Sequence, residues 1–267
     1  MRKIIDCFLF YNELQMLNYR LNILKDLVDY FLIVESTHTF VGKEKKLYFN
    51  NNQDKFNFCK DKIIHIIVDD MPYKYPNTNY INNEQWQNEY HQRNCIKRGL
   101  EQIKLVDDDL IIITDLDEIP NPNILNFLKF NNHKFDILTL EMDLYYYNLN
   151  TMFKNKWLAA RILTYKKYKD LNISCEQIRH YTSPKLENGG WHLSYFGDSN
   201  FISNKIQNFA HQELNNTNFT NIENIQKRIN NFSDLYDRNY DLIRIKTSEN
   251  TNLPYQYDIY LKNFILE

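Results

Sequence analysis

The densest group of chemistry-bearing side chains lies in IIITDLDEIPNP at 111–122, where Asp115, Asp117 and Glu118 follow a run of apolar residues. Carboxylates this close repel one another strongly where a strand end excludes water. A divalent cation relieves that repulsion, and an all-oxygen ligand set suits Mg²⁺ or Mn²⁺ better than zinc. Pro120 and Pro122 remove backbone donors directly afterwards, which predicts that sheet pairing stops there. The plainer alternative is that Asp115 caps the next helix while its neighbours are solvated turn residues. Placement directly after the most apolar stretch of the chain favours the metal.

Such acids need a rigid sheet behind them, and the first half of the chain reads as one. Residues 4–10 (IIDCFLF), 30–35 (YFLIVE), 62–68 (KIIHIIV) and 109–114 (DLIIIT) have the texture of buried strands. Between the first two, Leu14, Leu17, Leu21, Leu24 and Val28 recur at helical steps. A helix is predicted over 84–104, after a loop rich in Pro and Asn, and the fourth strand is predicted to be central. Beyond residue 135, FDILTLEMDLYYYNLN and KWLAARILTY read as longer antiparallel strands joined through NTMFKN, with helices at 199–209 and 221–232. Alternating strands and helices define an α/β fold, with ligands expected at the carboxyl ends of the parallel strands. The organisation predicted is a single domain over 1–267: a nucleotide-binding half to about 120, a metal and acceptor part over about 121–215, and a helical segment thereafter.

Composition narrows the functions available. The 267 residues are 43% hydrophobic and 25% charged with a formal net charge of −2, which excludes a disordered chain and leaves no basic footprint for a nucleic acid. No window of ~18 uninterrupted apolar residues occurs, so a cytoplasmic protein without a membrane anchor is expected. The four cysteines, Cys7, Cys59, Cys95 and Cys175, are widely spaced and fit reduced, buried thiols better than disulfides or a zinc motif. Only five glycines and six prolines stand against a great many Asn, Ile and Lys, residues with AT-rich codons, so the bias is expected to be that of the genome. The adjacent pair Gly189 and Gly190 is therefore a position where the backbone demands glycine.

Two enzyme classes place D-x-D at a strand end. In haloacid-dehalogenase-like phosphatases the first Asp is a nucleophile on the first strand, whereas here three predicted strands precede it. The order of blocks IIDCFLFYNELQMLNYRLNIL, YFLIVESTHTFVGKEKKLYF, DKIIHIIVDDMP, WQNEYHQRNCIKRGL, DDLIIITDLDEIPNP and GGWHLSYFG over about residues 3–215 resembles glycosyltransferase family 17. That resemblance implies a GT-A fold, a UDP-sugar donor (UDP-N-acetylglucosamine in eukaryotic relatives), a glycan acceptor, Mn²⁺ or Mg²⁺, and inversion at the anomeric carbon. A Mg²⁺-dependent phosphohydrolase and a non-catalytic sugar- or nucleotide-binding module are the alternatives.

The resemblance also distributes roles. Asp115 and Asp117 hold the metal, with Asp115 also meeting the donor diphosphate, and His211 completes the metal shell, with His192 as its rival. Inversion needs a carboxylate on the acceptor side, and Asp198, following a glycine loop at 189–190 and opening a helix, is the candidate base; its alternative role is a helix cap. Strand ends place Phe10, Asn12, Glu13 and Glu35 at the donor, and GT-A analogy adds Asp69 and Asp70. Arg93 is either a diphosphate ligand or simply the ion-pair partner of Glu89 one turn earlier. Gly190, Trp191 and His192 are assigned to the acceptor, with Tyr145, Tyr146 and Tyr147 as further stacking candidates.

Overall fold

The computed structural model describes residues 2–131 and 134–266. The chain starts with β1 (Ile4–Phe10), α1 (Leu14–Leu24), β2 (Tyr30–Ser36) and, after 3-10 turns over 50–62, β3 (Ile63–Val68). Every residue of β1 is buried, Asp6 included, because the strand is covered on both faces. The chain continues through α2 (Glu84–Asn94), α3 (Ile96–Leu100), β4 (Leu110–Asp115), β5 (Glu118–Pro120) and α4 (Pro122–Phe130). Its second half adds β6 (Ile137–Tyr146), β7 (Asn148–Phe153), β8 (Arg161–Thr164), α5 (Tyr165–Leu171), α6 (Cys175–Arg179) and β9 (Lys185–Ser194). It closes with α7 (Ser199–Asn208), α8 (Thr217–Thr220), α9 (Ile222–Asn230), β10 (Leu242–Arg244) and α10 (Tyr257–Tyr260).

The sheet runs β10-β7-β6-β8-β4-β1-β2-β3, with β9 pairing to both β5 and β6. Strands β1 to β4 are mutually parallel, and β4 lies between β1 and antiparallel β8, the internal position its apolar sequence predicts. From β1 the chain winds outward to β2 and β3 on one side and returns to β4 on the other. Strand order thus reverses between β1 and β4, where open α/β sheets hold ligands. Leu9 pairs with Asp115, so residues 10–13 and 115–117 leave the sheet side by side at that crevice. Apolar residues fill both faces of the sheet, and a third cluster around Tyr146, Tyr195, Ile202, Ile225 and Tyr236 holds α7 and α9. This is the mixed α/β architecture expected of a GT-A-like fold.

Five local expectations need correction. The helix predicted over 84–104 is two, because the Cys95 N–H is shared between the His91 and Gln92 carbonyls and tightens the turn there. The segment NTMFKN is not a connection: the hairpin turns earlier, at Tyr147 with φ +66°, and Asn150–Phe153 belongs to β7. In KWLAARILTY the strand occupies only Arg161–Thr164, because the Thr164 hydroxyl caps α5 by accepting from the Lys167 N–H. Pairing continues past the acids, since Glu118–Pro120 is β5 and proline occupies its last position. The segment after α9 is not wholly helical, because β10 adds to the sheet edge beside β7.

The four cysteines are free and buried. Among the described residues no helix is long and apolar enough to cross a membrane.

Candidate active site

The turn carrying the acids is fixed from beneath by one guanidinium. Arg20 of α1 is fully buried and binds Asp6 of β1 through Nε at 2.8 Å and Nη2 at 2.6 Å. Its Nη1 donates to the carbonyls of Asp115 (2.9 Å), Leu116 (2.9 Å) and Glu118 (2.8 Å), and Nη2 also reaches the Thr114 hydroxyl. The D-L-D-E backbone therefore takes its shape from the helix that follows the first strand. With its carbonyls held below, the side chains of the turn are free to diverge.

Glu118 turns inward and is fully buried. It accepts from the Asp115 N–H (2.9 Å), the Trp157 indole (2.6 Å) and both Arg179 nitrogens, so its acceptor capacity is spent on structure. Asp115 lies between Arg93 (3.0 Å) and Arg179 (2.7 Å). Burial opposes ionisation of Asp115, but Arg179 and then Arg93 outweigh it and hold its carboxyl below the usual range. Asp117 meets the Lys205 ammonium of α7 at 2.9 Å and His192 Nε2 at 3.5 Å. Against its burial, Lys205 and His192 keep Asp117 well below the usual carboxylate range.

His192 reaches Asp117 because β9 runs between β5 and β6, opposite Glu118. The expected glycine loop is a strand, and the two glycines are what let it pass. A Cβ on Gly190, at φ +152°, would stand 2.1 Å from the Ile119 carbonyl oxygen, and one on Gly189 would stand 2.8 Å from Leu140 Cα. Gly190→Ala is expected to cost more than ~1 kcal/mol, read as a lower urea midpoint. Trp191 is buried with its indole N–H on the Asn252 carbonyl at 2.7 Å, and Tyr145, Tyr146 and Tyr147 are also buried. These rings are packing; of the acceptor trio, His192 alone contacts an acid of the D-x-D turn.

The other predicted residues divide between crevice and scaffold. Glu13 lies 3.5 Å from Lys205, which thereby bridges it to Asp117, and Asn12 keeps a buried Oδ1 without a partner. Asp198 caps α7, its Oδ1 accepting from the Phe201 N–H at 2.8 Å. Asn12, Glu13, Asp198, Gly197, Phe201 and Phe264 line one cleft of about 300 Å³. Phe10 packs edge-on to Phe49 in the core. Glu35 accepts from the Phe49 and Asn50 N–H groups and from His65, tying down the 3-10 segment. Asp69 is exposed, and Asp70 is held by Arg98 and His91. His211 is exposed, bonded to Glu213 at 2.7 Å and edge-on to Trp86, with no bond to Asp115 or Asp117. A larger cavity, about 520 Å³, lies behind α6 and contains none of the predicted site residues.

Arg93 does more than pair with Glu89 at 2.8 Å, since it also binds Asp115 and Glu176 while its buried Nε has no partner. Arg179, Glu176, Lys205 and Arg20 were not singled out from sequence. No spacing pattern marks them in a chain with 32 basic and 34 acidic residues. Six carboxylates (Glu13, Glu89, Asp115, Asp117, Glu118, Glu176) here share three cations, Arg93, Arg179 and Lys205. Burial pushes the Glu89 carboxyl up, Arg93 opposing and Asp115 and Glu176 adding to the rise. Among the described residues, these carboxylates outnumber the Lys and Arg side chains that ion-pair with them.

The β-1,4-mannosyl-glycoprotein 4-β-N-acetylglucosaminyltransferase of Rattus norvegicus is 28% identical over 131 residues, 48% of this chain and 23% of the rat protein. The proteins of the same name from Homo sapiens and Mus musculus are 28% and 27% identical over the same share of this chain, 24% and 23% of their own lengths. The match thus spans about a quarter of these relatives. The family model for glycosyltransferase family 17 matches residues 1–242, and the chain belongs to that family.

Proposed function

We propose that the chain is an inverting, metal-dependent glycosyltransferase that moves N-acetylglucosamine from UDP-N-acetylglucosamine to a hydroxyl of a glycan. The observation that carries this reading is the position of Asp115 and Asp117 at the strand-order reversal, in a cluster where six carboxylates ion-pair with the three cations Arg93, Arg179 and Lys205. Family membership and the relatives' names support the sugar chosen.

The residues present fit a hard divalent cation. Carboxylate oxygens with one imidazole are a donor set suited to Mn²⁺ or Mg²⁺, and His192 turns its Nε2 to Asp117 Oδ1 at 3.5 Å. Asp117 and Asp115 would hold the ion, with His192 adjacent to Asp117. When bound, it supplies Lewis-acid stabilisation of the negative charge on the departing diphosphate. Lys205 and Arg93 add fixed positive charge to the same turn. In the transfer, the acceptor oxygen bonds to the anomeric carbon as the bond from that carbon to the diphosphate oxygen breaks. The hydroxyl proton passes to Asp198, whose Oδ2 is not used by the helix cap, and UDP leaves.

Incubation with Mn²⁺ and a panel of nucleotide sugars, with and without oligosaccharides, is expected to release UDP from UDP-N-acetylglucosamine. Asp117→Ala is expected to lower that rate about a hundredfold or more. Absence of UDP release with every donor would overturn the reading; phosphate release from small esters instead would point to the phosphohydrolase.

A further inference from the structure

Away from the D-x-D turn, Asp70, His91 and Cys95 bring a carboxylate oxygen, an imidazole nitrogen and a thiol sulfur all within 4.8 Å of one another. His91 and Cys95 are four residues apart, so they share one face at the end of α2. Asp70 comes from the other side, two residues beyond β3, and its Oδ1 lies 3.2 Å from His91 Nε2. A tetrahedral zinc centre with ordinary Zn–N, Zn–O and Zn–S lengths spaces its donor atoms about 3.3–3.7 Å apart. The imidazole and carboxylate already stand near that spacing, and the thiol needs a shift of about 1 Å.

Exposure is graded across the cluster in the way an entry path requires. Cys95 is buried, His91 partly so, and the Asp70 side chain is 51% exposed, leaving a water-accessible position opposite the sulfur. Arg98 donates to Asp70 at 3.0 and 2.6 Å. An ionised carboxylate has about four acceptor sites, so Arg98 can orient it from outside while a metal takes another, as second-shell partners of metal ligands do.

We propose that Asp70, His91 and Cys95 form a zinc-class metal site with water as fourth ligand, distinct from the D-x-D turn. One sulfur, one nitrogen and one oxygen select a borderline-soft ion over Mg²⁺ or Mn²⁺. Such an ion clips α2 to the end of β3, and α2 is the helix that presents Glu89 and Arg93 to Asp115. Its role is to position that helix; Asp70, which analogy places at the donor, is turned to His91 and Arg98.

The test is titration of the purified chain with CoCl₂ and then ZnCl₂, followed by absorption spectroscopy. Expected are one equivalent of Co²⁺ with visible bands of four-coordinate geometry, a thiolate-to-metal charge-transfer band, and displacement of both by Zn²⁺. Cys95→Ser should abolish the charge-transfer band, and His91→Ala should weaken binding tenfold or more. Asp117→Ala should leave the band unchanged, which separates this site from the proposed catalytic metal. Should Cys95→Ser fail to fold, Asp70→Asn at the exposed ligand should weaken binding instead. No charge-transfer band in the unaltered chain, or one that survives Cys95→Ser, would overturn the proposal, as would undiminished binding in Asp70→Asn.

Discussion

Arg20→Met is expected to destabilise the chain by about 3–5 kcal/mol, the usual cost of removing one partner from a buried ion pair. Both Arg20 and Asp6 are fully buried. The substitution strands the Asp6 carboxylate and also takes a donor from the carbonyls of Asp115, Leu116 and Glu118. Against a typical total of ~5–15 kcal/mol, this is a large share of the stability. Equilibrium urea unfolding checks it. The double variant Asp6→Asn/Arg20→Met should recover part of the loss, since no bare charge remains in the core. A loss below about 1 kcal/mol in the single variant would show that the acid turn holds its shape without the guanidinium.

Asp198→Asn is expected to lower sugar transfer by about a hundredfold to ten-thousandfold while leaving folding stability unchanged. The separation rests on geometry. Helix α7 needs only an oxygen accepting from the Phe201 N–H, and an asparagine side chain supplies one. A general base needs a carboxylate, which the amide is not. Measured together, urea midpoint, UDP binding and turnover should move only in the last. Unchanged turnover would remove Asp198 from the proposed mechanism, and a shifted midpoint would mean that the cap differs between the two residues.

Sequence and structure agree where the signal is local. Ile4–Phe10, Tyr30–Ser36 and Leu110–Asp115 are strands because mainly apolar runs have one stable place, the covered interior of a parallel sheet, and Ile63–Val68, only partly buried, adds to the edge of the same sheet. The D-L-D-E motif was legible for the same reason: it interrupts such a run. Glu118 was not, since nothing in D-L-D-E says that its third acid turns inward to Arg179 and Trp157. The Gly-Gly pair was recognised as a backbone requirement but assigned to a loop. What demands glycine there is the carbonyl of Ile119, a residue 71 positions away from Gly190, and that contact exists only after folding. Arg93 was visible as the i,i+4 partner of Glu89, whereas its bonds to Asp115 and Glu176 cross from one element to another.

The cations around the acid turn come from four distant stretches. Arg20, Arg93, Arg179 and Lys205 reach it across separations of 95, 22, 64 and 88 residues, taking the Asp115 carbonyl, Asp115, Asp115 again and Asp117 as the respective endpoints. Contacts of long range are made only after the intervening loops have closed, and each closure costs chain entropy first. The parallel pair β1 and β2, whose partners such as Ile5 and Tyr30 are 25 residues apart, can therefore form while the turn still lacks Arg179 and Lys205, whereas β1 meets β4 across 106 residues, from Ile4 to Leu110, and closes on the scale of those contacts. Secondary structure would then return early during refolding, and the ability to bind a nucleotide sugar would return last.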